Sequence, residues 1–157
     1  RMRLKERLRS PWMLPLIALA ALLLMADYRP YRQEGVTMTA VEGSAMSGGM
    51  TIEILNTTDR PLWNCGDYDR NYRLQRRLGS LWLPMRQAKR PAGEVCAAAP
   101  VFYYEKDAPQ RFAFKWSEDR RFPFTALEPG SYRLILDFYE DGFEESVFQL
   151  AAEFTVE

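Results

Sequence analysis

The sequence predicts an all-β protein, an antiparallel sandwich or barrel of seven or eight short strands preceded by one N-terminal hydrophobic helix. Two observations carry this. Beyond residue 35 the chain alternates apolar and polar residues with period two in short runs, most of them bounded by Gly, Pro, Asn or Asp. Before it, residues 12–26, WMLPLIALAALLLMA, form an unbroken uncharged run behind a basic flank. At 157 residues, 47% hydrophobic and 13% aromatic, the chain has material for one packed domain and an appendage.

The appendage comes first. Arg1, Arg3, Lys5, Arg7 and Arg9 stand against Glu6 alone, so the zero net charge divides into a basic start and an acidic remainder. As a helix, residues 12–26 span about 22 Å, against a bilayer core of about 30 Å. An uncleaved signal anchor fits, with Trp12 and Tyr28 at the two interfaces and the basic flank held inside. A cleaved signal peptide also fits the flank and length, although Leu24 is bulky for the −3 position of a cut after Ala26. A buried soluble helix is the third reading. The expected organisation is therefore a basic flank and anchor over residues 1–28, a stalk over 29–35 and an extracytoplasmic domain over 36–157. The protein is expected in the cell membrane, single-pass and N-in, or secreted if the signal is cleaved.

The strands follow in order. Residues 36–42 alternate, as do 50–56, with Met50, Ile52 and Ile54 on one face. Residues 72–78 and 81–85 flank a Gly79-Ser80 break. Next come 101–105 and 111–116, the latter with Phe112, Phe114 and Trp116 in phase, then 131–139 and 147–156. Residues 57–71 and 86–100 read as long loops.

The stretch LEPGSYRLILDF decides between sandwich and barrel. In immunoglobulin-like and fibronectin-type sandwiches, a tyrosine near the start of strand F bonds through its hydroxyl to backbone a few residues upstream. Leu127 supplies a core residue, Pro129 fixes φ, Gly130 takes a turn conformation and Tyr132 enters the strand facing inward. That phase places Leu134, Leu136 and Phe138 in the core and turns Arg133, Ile135, Asp137 and Tyr139 outward.

With MTIEILNTTD, YRLQRRLGSLWLPM, LEPGSYRLILDF and AAEFTV, residues 35–157 resemble the bacterial immunoglobulin-like domains of membrane-anchored and surface proteins of Gram-positive bacteria. The resemblance implies a seven- or eight-stranded sandwich used for display, spacing or binding, with no catalytic residues. Unlike antibody-type domains, the chain has Leu134 where the strand-F cysteine would stand.

Little chemistry is in view. The absence of histidine removes the commonest general base and transition-metal ligand. Cys65 and Cys96, the two cysteines, fall in the long loops; an exported domain would bridge them, closing a loop worth about 3–4 kcal/mol, while two free thiols is the alternative. Asp67, Asp69 and Asn71 have the first three spacings of a calcium loop, but Tyr72 and Leu78 occupy its glycine and glutamate positions, so a solvated turn reads better. No cofactor, metal, nucleic-acid partner or small-molecule substrate is expected, and no enzymatic activity.

Charge suggests where a partner would sit. Eight basic residues lie between Arg60 and Arg90, while residues 134–157 hold seven acids and no base. On a sandwich, Arg73 and Arg77 would stand near Asp137 and Glu153, and Ile135, Tyr139 and Val147 would add apolar area to the same face. The expected role is a membrane-tethered, non-catalytic module binding or positioning an envelope protein or wall component. An accessory or sensor subunit of a membrane enzyme or transporter is the alternative. Substituting an unrelated anchor separates the two, since only a subunit needs its own helix.

Overall fold

The computed structural model describes residues 13–27, 29–65, 72–87, 101–119, 121–140 and 148–157. One helix, α1 (Met13–Met25), precedes nine strands: β1 (Val36–Ala40), β2 (Met50–Asn56), β3 (Leu62–Cys65), β4 (Tyr72–Leu78), β5 (Leu81–Pro84), β6 (Val101–Tyr104), β7 (Gln110–Phe114), β8 (Gly130–Glu140) and β9 (Phe148–Val156).

The strands form two antiparallel sheets packed face to face. The smaller has the order β1-β2-β7. In the larger, β8 is central and pairs with β9 along most of its length. Its other edge is shared. β4 pairs with Tyr132–Leu136 and β3 with Tyr139–Glu140. β5 then lies outside β4 and β6 outside β3. β3 and β4 thus pair with the same edge of β8, with Asp137 and Phe138 between their two registers.

Alternation puts Ile52 and Ile54 of one sheet against Leu74, Leu134, Leu136 and Phe138 of the other, all fully buried. Aromatic edges cross between the sheets: Tyr72 meets Phe114 at 5.0 Å and Tyr104 meets Phe112 at 6.0 Å between ring centroids. One contiguous core results, and at β1 and β9 the two sheets approach each other.

Two corrections to the sequence reading follow. β3 lies within residues 57–71, expected as loop. Its inward positions are Leu62 and Asn64, so a buried polar residue breaks the apolar alternation that marks a strand. Residues 27 and 29–31, expected within the anchor and stalk, lie on the larger sheet. α1 has thirteen residues, about 20 Å, and no helix among the described residues is long and apolar enough to cross a membrane. Its Leu14, Leu16, Ile17, Leu19, Leu23 and Leu24 side chains are nevertheless exposed, Leu24 to 87%.

Candidate functional site

The corner at the start of β8 is a structural feature. Gly130 has φ 152°, a conformation that favours glycine, and turns the chain into the strand. The buried Tyr132 hydroxyl donates to the Glu128 carbonyl at 2.7 Å, and burial raises its pKa. Its ring stacks on Phe154, which stacks on Trp116. Leu127 is buried, its N–H donating to the Ser47 carbonyl at 2.7 Å, and Arg76 covers the outside by pairing with Glu128 at 2.8 Å. With its hydroxyl used on backbone, Tyr132 is not available to a ligand.

The denser polar constellation is one residue further on. Register puts Arg133 on the outer face of the larger sheet, opposite Gln75 on β4 and Glu153 on β9. An exposed arginine was expected; instead Arg133 is only 4% exposed. The segment after α1 folds over it. Arg133 Nε donates to Gln75 Oε1 at 2.7 Å and Nη2 to the Asp27 carbonyl at 3.2 Å. Its guanidinium carbon lies 4.7 Å from the ring centroids of both Tyr31 and Trp82. A guanidinium suits this place, since its planar fork satisfies several acceptors while its faces meet aromatic rings.

Asp27 completes the junction. Its N–H donates to the Trp82 carbonyl at 2.9 Å, tying the end of α1 to β5. Its carboxylate accepts from the Tyr31 hydroxyl, from Gln75 Nε2 at 2.9 Å and from the Arg29 N–H at 3.0 Å, with Arg133 at 3.9 Å. Burial alone would raise its pKa, but those hydrogen bonds outweigh it and hold the carboxyl well below the usual range. Burial and the Asp27 carboxylate together push the Tyr31 hydroxyl up. Tyr31 holds φ 42°, strained for an aromatic residue, and is buried. Asp27 and Tyr31 were not singled out by the sequence reading. The adjacent DYRPY, polar and proline-containing, has the signal of a linker, and a four-residue side-chain contact onto a distant sheet leaves no periodicity.

The expected interaction face is thus partly occupied. Ile135, assigned to it as outward apolar area, does have the outward register but is fully buried. Arg73 pairs with Asp137 at 3.4 Å, and Gln149 donates to the same carboxylate at 2.6 Å. Arg77 turns elsewhere, donating to the Gly79 carbonyl at 3.0 Å and standing over Trp82. Glu153 lies across from Arg133. Tyr139 stacks on Trp63 with centroids 4.6 Å apart, and Trp63 is in turn opposite Tyr103 on β6. This row of aromatics, missed with β3, is the uncovered end of the face: Tyr103 is 55% exposed and its neighbour Val101 40%.

Val147, Cys96 and the 67–71 turn lie outside the described residues. So does the Cys65–Cys96 bridge, although the Cys65 backbone ends β3 opposite Val101. Among the described residues no group of three acidic or cysteine side chains is placed to hold a metal ion. No family model, curated protein or solved structure matches the chain.

Proposed function

We propose that the chain is a membrane-attached extracytoplasmic module of immunoglobulin-like fold, non-catalytic, that positions or binds another component of the cell envelope. The observation that carries this reading is the junction: a helix with exposed leucines is locked onto a β-sandwich by Asp27, Tyr31, Trp82 and Arg133. Exposed leucine on a helix is costly in water and favourable in hydrocarbon. Together with residues before Met13, the run is long enough to enter a bilayer, and the basic flank argues for N-in. The strand order supports the immunoglobulin-like reading. β1-β2-β7 facing β9-β8-β4-β5 corresponds to strands A-B-E facing G-F-C-C′, with β3 and β6 as additional strands on the same sheet and the tyrosine corner where strand F begins.

A partner would meet the uncovered aromatic end, Tyr139, Trp63 and Tyr103, rather than Ile135. Partly exposed aromatics of this kind form the centres of many interfaces. In membranes from cells making the full chain, the protein should resist alkaline carbonate extraction. A C-terminal tag should be open to protease added outside intact cells. Release by carbonate, or a protected tag, would refute the reading. A photo-crosslinker at position 103 should then trap a discrete envelope partner, where one at Glu53 on the opposite sheet does not.

A further inference from the structure

We propose that the arginines gathered at the end of α1 form a collar that binds anionic phospholipid headgroups at the membrane surface, an inference that rests on the membrane-attached reading above. A cavity of about 500 Å³ opens between the end of α1 and the β4–β5 hairpin. Its walls put charged and apolar groups side by side: Arg29 and Arg73, with the Asp27 carboxylate, beside Met25, Pro84 and Met85. That is the mixture an amphiphile presents, a charged phosphate joined to hydrocarbon. The last turn of the helix, with exposed Leu23, Leu24 and Met25, adjoins this cavity, so when the helix is in lipid the cavity is at headgroup level.

The local charge favours an anion. Arg86 is exposed between Met85 and Gln87, both of which line the cavity, and Arg77 stands over Trp82, whose carbonyl holds the Asp27 N–H. Against Arg29, Arg73, Arg77, Arg86 and the buried Arg133, the nearby carboxylates among the described residues are Asp27, Asp137 and Glu153, the last across from Arg133. Asp27 is engaged by Tyr31, Gln75 and Arg29, and Asp137 by Arg73 and Gln149. Five guanidiniums beside three carboxylates leave two positive charges. Arginine is suited to take up phosphate through its planar fork, and it remains charged at any physiological pH. The Arg29 side chain is 64% exposed, so a phosphate reaches it without disturbing the buried junction.

The test uses the full chain reconstituted in phosphatidylcholine vesicles containing traces of spin-labelled lipid. Electron spin resonance then reads the fraction of each label immobilised at the protein. Labelled phosphatidylglycerol should be immobilised severalfold more than labelled phosphatidylcholine, and the preference should fall as salt rises, since headgroup attraction is screened over about a Debye length. An Arg77→Gln/Arg86→Gln variant, altered only at the exposed rim, should lose most of the preference, each charge being worth roughly fivefold at an anionic surface. Equal immobilisation of the two labels by inserted protein overturns the collar and leaves it to a soluble anion. A preference untouched by both salt and the double variant overturns it as well. A chain that never enters the vesicles fails the membrane-attached reading itself, which carbonate extraction reports independently.

Discussion

Arg133 shows what a buried charge needs in order to be tolerated. Removing a guanidinium from water is costly, and burial lowers its pKa. The cost is offset by the Gln75 amide oxygen, the Asp27 carbonyl and two aromatic rings. Replacing Arg133 with Met leaves Asp27 and Gln75 short of a partner and should cost roughly 3 kcal/mol in urea unfolding. Arg133→Lys should recover little of it, because an ammonium neither forks nor stacks. At the corner, Tyr132→Phe removes one hydrogen bond but keeps the ring on Phe154, so about 1 kcal/mol is expected. Asp27 makes the junction sensitive to acid. Its folded pKa lies below the unfolded value of about 4, so the folded state binds fewer protons. Its contribution is complete above about pH 5 and is lost as pH falls through the unfolded value toward the folded one. Thermal scans should show melting falling steeply below about pH 4, and Asp27→Asn should be less stable at neutral pH but flatter in acid.

At the scale of elements, β3 and β4 together act as one edge beside β8. Trp63 and Tyr139 hold the far half of that edge to β8, and a double-mutant cycle on Trp63→Ala and Tyr139→Ala should give a coupling of about 1 kcal/mol. These elements also show what a linear sequence discloses. β2, β8 and β9 were legible because Ile52, Tyr132 and Phe154 alternate with polar neighbours and one face meets a core. The corner was legible because Pro129, Gly130 and Tyr132 encode local geometry. β3 was not, since Asn64 sits inward and the strand has four residues. The junction was not legible either. Arg133 carries the right outward phase, and only the docking of Tyr31, a hundred residues away in the chain, converts that exposed position into a buried one.

For the whole molecule, the junction determines where the folding unit begins. Had residues 29–35 been a stalk, the domain would stand alone from Val36 and turn freely on its helix. Instead Tyr31 is buried, Asp27 bonds to β4 and β5, and Arg133 is closed off beneath Tyr31 and Trp82. The unit therefore starts at Asp27, and the direction of α1 is coupled to the sheet. Two truncations separate these cases. A chain beginning at Ala26 keeps Asp27, Arg29 and Tyr31, and should unfold cooperatively with nearly the stability of the folded unit in the full protein. A chain beginning at Gln33 loses all three, leaving Arg133 without Asp27 and Tyr31. Loss of the buried ion-pair partner together with a buried tyrosine should cost roughly 5 kcal/mol or more, a large part of the stability of a domain this size. Urea unfolding of the two, followed by the fluorescence of Trp82 and Trp116, gives the comparison. If the shorter chain matched the longer in midpoint and slope, residues 27–31 would be a passenger on the sheet and the helix free to swing; a midpoint shifted far down with Trp82 exposed makes helix and sandwich one body.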